Sequence, residues 1–217
     1  MEFYSTELLE KYGAFAMEKQ LFFADIVGTK NWNVDINNGE ISFDNDLIFP
    51  IQILGTFSHS SETWLWGWAN SGSNLPEKLL EQSHNLKEYG KSQKIDFYTN
   101  SECEIERNDM HYIGLVAVGM FGASGYYLGN YGAGTMCLTI SAKEIDKKFP
   151  NEHHSIFTVF PQLISQYEIN HKDAFVNYLN QKNYKVQIDG NEVIGKNGEK
   201  EVKAEFDDLR RLTKLNG

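Results

Sequence analysis

Turn signals cut much of this chain into short runs in which apolar and polar residues alternate. Trp32, Val34 and Ile36 alternate with polar neighbours, Asn37-Asn38-Gly39 follows, and Ile41 and Phe43 alternate again. Asn and Gly accept positive φ, so the triplet reads as a hairpin turn. Strands joined by so few residues pair antiparallel, because a parallel return needs a long crossover. Asp44-Asn45-Asp46 is a second turn signal. Leu47–Phe57 then reads as a longer strand. Pro50 inside it lacks a ladder donor and predicts an edge or a bulge. Ser58–Ser61 turns the chain, and Thr63–Ala69 completes a four-stranded meander.

Helical spacing appears between the strand blocks. Ser5 or Thr6 can cap a helix carrying Leu8, Leu9, Tyr12, Phe15 and Ala16 on one face. A second helix is expected from Leu75, with Pro76 in its first turn and Gly90 at its end. Ile95–Glu106 reads as strand. Met110–Phe121 suits an apolar helix or a buried strand, Tyr126–Ile140 a hairpin turning at residues 129–134, and Ile156–Phe160 a short strand. His171–Gln181 reads as helix. Strands follow at 185–188, 192–194 and 201–206, with turns at Asp189-Gly190-Asn191 and Lys196-Asn197-Gly198, and a last strand at 211–215. Blocks of antiparallel hairpins interleaved with three to four helices define an α+β fold. The length suits one domain over residues 1–217. The likeness of the hairpins at 32–41 and 184–193 raises an alternative of two similar halves, 1–109 and 110–217.

Thirty acidic residues against twenty basic ones give a net charge of −10. The excess is local. Residues 1–109 hold 18 acidic and 8 basic residues, whereas 110–217 hold 12 of each. An acidic half repels phosphate backbones, so nucleic acid is not expected as a partner, and a cationic protein or peptide is. The two cysteines, Cys103 and Cys137, lack zinc-ligand spacing and suit reduced thiols in a cytoplasm. The start, Met1-Glu2-Phe3-Tyr4-Ser5, has neither a basic region nor an apolar core, so no signal peptide is expected. The apolar stretch Tyr112–Gly125 is too short to span a bilayer. A soluble cytoplasmic protein with no membrane partner is the expectation.

Aromatic residues supply the candidate binding site. In a strand, Trp64, Trp66 and Trp68 share one face, where they form part of a core or line a slot for an apolar ligand, with Asn70 just beyond. Tyr126 and Tyr127 bring further rings beside the Gly-rich turn at 129–134. Motifs for chemistry are sparse. His153 and His154 are adjacent and would point apart in a strand, and no His-Glu-x-x-His pair exists. Ser124 lies between Gly122 and Gly125 but off nucleophile-elbow spacing. Cys137 lies in an apolar run, and Cys103 is flanked by Glu102 and Glu104, which disfavours a thiolate. Asp44-Asn45-Asp46 lacks the glycine and distal glutamate of a calcium loop. No metal site and no cofactor are expected.

The segments Phe49-Pro-Ile-Gln-Ile-Leu-Gly-Thr-Phe-Ser58, Thr63-Trp-Leu-Trp-Gly-Trp-Ala-Asn70, Leu75-Pro-Glu and Tyr89-Gly90 resemble a bacterial family catalogued as a domain of unknown function. The resemblance is dense over about residues 30–135. It implies a cytosolic bacterial protein and transfers no catalytic residue. Two readings of function follow. One is a non-enzymatic interaction protein. The other is a small-molecule binder or hydrolase whose pocket is lined by Trp64, Trp66, Trp68, Asn70, Tyr126 and Tyr127.

Overall fold

The computed structural model describes residues 5–44 and 46–217. The acidic start at residues 1–4 and Asn45 of the second turn signal lie outside them. In chain order the elements are α1 (Thr6–Val27), β1 (Trp32–Asp35), β2 (Glu40–Phe43), β3 (Leu47–Ser58), β4 (Thr63–Trp66), α2 (Glu81–Gln93), α3 (Asp96–Thr99) and β5 (Glu102–Glu104). Then come α4 (Asp109–Phe121), β6 (Gly125–Asn130), β7 (Gly134–Ile140), α5 (Lys143–Lys148), α6 (Ser155–Gln166) and α7 (His171–Gln181). The chain ends in β8 (Lys185–Asp189), β9 (Glu192–Asn197), β10 (Lys200–Phe206) and β11 (Leu212–Asn216). The fold is α+β, and the strands pair antiparallel in a seven-stranded and a four-stranded sheet. Among the described residues, no helix is long and apolar enough to cross a membrane.

Two compact units divide the chain. The first holds Gln20–Lys148, and the second holds Thr6–Lys19 with Phe149–Gly217. In the first, the meander read from the alternation is present as β1 to β4, and β5 extends it. Gly39 takes φ +77° in the first turn, the conformation that the Asn-Gly signal predicts. β3 is the spine. Its first four residues pair with β2, its last four with β4, and residues 51–58 with β7. The register on β7 shifts between Ile53 and Gly55, which leaves Leu54 as a bulge. Phe23 and Val27 of α1 pack on Ile41 and Phe43 of β2, Phe49, Ile51 and Ile53 of β3, and Leu138 and Ile140 of β7.

Glycines fix how closely this unit packs. A Cβ on Gly55 would lie 2.5 Å from the Leu65 carbonyl oxygen and 2.5 Å from the Trp64 ring. A Cβ on Gly67 would lie 2.9 Å from the Ile53 carbonyl oxygen. The bulge and the end of β4 therefore approach each other across two residues without side chains. The buried Ser83 of α2 completes the junction. Its hydroxyl donates to the Leu54 carbonyl at 2.9 Å and accepts from the Trp68 amide at 3.2 Å.

Several segments differ from the sequence reading. β4 ends at Trp66, and Gly67–Ala69 forms a 3₁₀ turn, because Gly67 is held against the backbone of β3. The stretch read as strand from Ile95 contains α3, which buries both Phe97 and Tyr98, and only Glu102–Glu104 is strand. Gly90 lies inside α2 and does not end it. A Cβ there would meet the Tyr98 Cβ at 2.5 Å, and the helix stops at Lys94 with φ +59°. The helix placed from Leu75 is a 3₁₀ turn at Glu77–Leu79 followed by α2. Met110–Phe121 is the helical alternative, α4. Ile156–Phe160 belongs to α6, whose buried residues Ile156, Val159, Phe160 and Leu163 follow the helical period across Pro161.

In the second unit the sheet runs β11-β10-β9-β8. Val193, Val202, Ala204 and Phe206 are buried, with Phe206 beside Phe175 of α7 at 6.0 Å between ring centroids. Alternate residues carry charges that pair across the strands: Lys196 with Glu201 at 2.8 Å, Lys214 with Glu205 at 3.4 Å, and Lys203 with Glu192.

Gly55→Ala should destabilise the protein by about 3 kcal/mol, since backbone cannot yield to the added methyl as a side chain can. Gly72→Ala, with nothing within 4 Å of the new atom, should stay within about 0.5 kcal/mol of wild type. Urea denaturation of both variants measures the contrast, and equal midpoints would refute the packing account.

Candidate functional site

The six residues singled out in the sequence differ in their surroundings: Trp64, Trp66 and Tyr126 are buried, and Trp68, Asn70 and Tyr127 are half-buried. Trp64 and Trp66 are each 0% exposed. Their rings meet edge to face at 5.3 Å, and Trp66 continues the stack onto Phe97 at 5.4 Å and Tyr98 at 5.7 Å. Trp66 Nε1 donates to the Phe97 carbonyl at 2.9 Å. The hydroxyls of Tyr98 and Tyr112 lie 2.9 Å apart, and Tyr112 donates to the Ser5 carbonyl at 2.8 Å. Burial raises the Tyr98 pKa, so its phenol stays neutral. Trp64 and Trp66 are thus parts of a packed aromatic cluster.

Trp68 leaves the stripe because β4 has already ended. It is half-buried, and Lys87 Nζ sits 3.5 Å above its ring centroid, a cation–π contact that snorkels the lysine stem over the indole. Asn70 is half-buried and donates its backbone N–H to the Gly67 carbonyl at 3.1 Å. Tyr126 and Tyr127, adjacent in β6, point to opposite faces. Tyr126 is buried against Gly114, takes Gln20 Oε1 on its amide, and shares a 2.6 Å hydrogen bond between its hydroxyl and His111 Nδ1. Tyr127 packs on Trp32 and Phe43, with ring centroids at 5.7 and 5.1 Å.

The loop after β6 is clamped from the turn after β3. His59 donates its backbone N–H to the Ala133 carbonyl at 3.1 Å and Nδ1–H to the Gly132 carbonyl at 3.1 Å. That donation fixes the tautomer, so Nε2 accepts from Thr135 Oγ1 at 2.9 Å. Ser124 caps α5. Its hydroxyl accepts from the Ala142 amide at 2.8 Å and lies 3.0 Å from Asp146 Oδ2. Both thiols are buried, and burial raises both pKa values, with Glu102 adding to the effect at Cys103. Neither is activated as a nucleophile. Among the described residues, no group of three His, Cys, Asp or Glu side chains is placed to hold a metal ion.

Sequence reasoning missed a buried charge cluster in the second unit. Glu18 is 5% exposed and Lys182 is 2% exposed, and Lys182 Nζ lies 2.7 Å from both Glu18 oxygens. The Tyr178 hydroxyl donates to Glu18 Oε2 at 2.6 Å. Burial pulls the Lys182 pKa down while Glu18 opposes the shift, and burial with the Glu18 charge raises that of Tyr178. The only local signal was Tyr178 and Lys182 four residues apart on one helical face. Their partner, 160 residues earlier, left none.

Charge is divided unequally between the units. Residues 20–148 hold 16 acidic and 9 basic residues, whereas 6–19 with 149–217 hold 13 and 11. In the first unit the exposed carboxylates include Glu62, Asp96, Glu102, Glu104 and Glu106, on and around β5.

A match to the family of unknown function DUF6882 covers residues 6–143. The chain belongs to this family. Its matched span takes in α1 and every strand of the seven-stranded sheet, including the Gly55 and Gly67 junction. No curated protein and no solved structure matches the chain.

Trp66→Ala should cost about 3–5 kcal/mol, the loss expected for a buried large aromatic, whereas Trp68→Ala should cost much less. Denaturation midpoints for the two variants test this, and a mild Trp66→Ala would contradict the core assignment. A second expectation concerns pH. His171 Nδ1 accepts the Leu212 N–H at 3.0 Å, and burial holds the His171 pKa below its ordinary value. The unfolded chain therefore takes up this proton first as pH falls through about 6.5. Protonation also removes the acceptor. The Leu212 amide should lose hydrogen-exchange protection between pH 7.5 and 5, and unchanged protection would refute the account.

Proposed function

We propose that this chain is a non-enzymatic interaction protein of a bacterial cytoplasm, and that its first unit binds a cationic partner protein. The observation that carries the reading is the concentration of net negative charge in residues 20–148, with exposed carboxylates on a rigidly packed sheet. Such a surface accelerates encounter with a basic partner and disfavours acidic ones. The aromatic residues support the same reading from another side. Trp64, Trp66 and Tyr126 are buried in packing contacts, and Tyr127 faces away from Tyr126, so these rings serve the fold.

The test is native mass spectrometry of the untagged chain purified gently from bacterial cells. The expected result is a stoichiometric complex with a polypeptide of basic composition that dissociates as salt is raised, since exposed charges are screened over a Debye length of about 8–10 Å near physiological salt. A bare chain, or a reproducible small-molecule adduct in place of a protein, would contradict the proposal.

A further inference from the structure

β5 ends one path of the seven-stranded sheet. Its hydrogen bonds show which way each peptide points. The Trp66 amide donates to the Ser101 carbonyl at 3.1 Å, and the Ile105 amide donates to the Glu62 carbonyl at 3.2 Å. Residues 101, 103 and 105 therefore turn their backbone groups inward to β4, in register with the Trp64–Cys103 pair. By the same alternation, the N–H and C=O groups of Glu102 and Glu104 point outward, away from β4. Among the described residues, β4 is the strand that pairs with β5, and no hydrogen bond takes these outward groups. The flanking residues Asn100, Ser101, Glu106 and Arg107 are exposed.

The side chains on this strand point to the same conclusion. Cys103 is buried, while Glu102 and Glu104 stand exposed on the opposite face. Their cross-strand neighbours on β4 are Leu65 and Thr63, neither of them cationic. The second unit shows how this chain treats strand carboxylates elsewhere. Glu201 is opposite Lys196 and Glu205 opposite Lys214, each an ion pair, and where Glu205 also stands opposite Glu192 on its other side, Lys203 pairs with Glu192. Only on its outer side can β5 acquire the equivalent neighbours. Pairing β5 with β5 of a second copy, in the antiparallel register centred on Cys103, would set Glu102 against Glu104 with no lysine beside them, which is unfavourable. Carboxylates on an edge strand guard against that self-association.

We infer that the outer edge of β5 receives an extended segment of a basic partner protein as an added strand, with lysine or arginine at alternate positions opposite Glu102 and Glu104. The backbone groups of Glu102 and Glu104 supply main-chain hydrogen bonds, and the two carboxylates select the basic side chains. This rests on the reading of the first unit as a binder of cationic protein, and it names the strand and the recognition mode.

The experiment titrates the full chain with a labelled peptide of alternating lysine and valine, about eight residues long, and follows fluorescence anisotropy at low salt. A second peptide of the same charge carries N-methyl groups on alternate amides, which removes strand pairing and leaves the protein untouched. Glu102→Lys with Glu104→Lys should weaken the first peptide about tenfold or more, and N-methylation should do the same, a factor worth about 1.4 kcal/mol. Asp25→Lys with Glu81→Lys, an equal charge change elsewhere in the unit, should change binding less than about threefold, as expected for screened charges at a distance. If the N-methylated peptide binds equally well, or the distant pair weakens binding as much, the edge is not the site, although a cationic partner stands. If neither peptide binds the wild-type chain, both proposals fall.

Discussion

The contact on which the first unit depends is the absence of a side chain at Gly55. There, β3 bulges at Leu54 and the Trp64 indole lies across the strand, closer than any Cβ would allow. Close packing of this kind tolerates neither added nor removed volume. β3 pairs with three strands at once, so whatever fixes β3 fixes β2, β4 and β7. Trp64 and Trp66 then seat Phe97 and Tyr98, and the Phe97 carbonyl accepts from Trp66 Nε1, while Cys103 Sγ lies 3.7 Å from the same oxygen. The position of β5 is thus inherited from the tryptophan cluster.

Much of the sheet was legible because alternation and turn chemistry are local. Gly39, Gly190 and Gly198 all take positive φ at the turns that their sequences mark. The failures fall where tertiary packing overrides local pattern. Ile95–Thr99 looks like strand because all of its residues but Asp96 are aromatic or β-branched, yet Gly90 leaves room for Tyr98 only if the chain coils back on α2. Ile156–Phe160 is too short an apolar run to reveal its period, and Pro161 hides the turn that contains Leu163. Trp68 fits the tryptophan alternation on paper, but Gly67 has already bent the chain. The aromatic residues were visible as a group, whereas their burial depends on glycines of neighbouring elements, Gly55 of β3 against Trp64 and Gly114 of α4 against Tyr126.

Charge follows a second logic. In the second unit carboxylates are answered from within the chain, by lysines across the sheet and, for the buried Glu18, by Lys182 and Tyr178. Breaking a buried pair strands the remaining charge, so that cluster is read as a structural commitment of the fold. At β5, by contrast, Glu102 and Glu104 face Leu65 and Thr63, and their outward peptides have no hydrogen-bond partner among the described residues. The sequence displayed the acidic excess of residues 1–109 but could not show that part of it borders an open strand.

That openness is measurable without any partner. Hydrogen exchange of the isolated chain, read at single-residue resolution by NMR, compares three successive amides. The account predicts that the Cys103 amide, turned toward β4, is protected, while those of Glu102 and Glu104 exchange as rapidly as exposed loop amides. Equal protection of all three would show that the outer edge is already occupied, and would contradict the account.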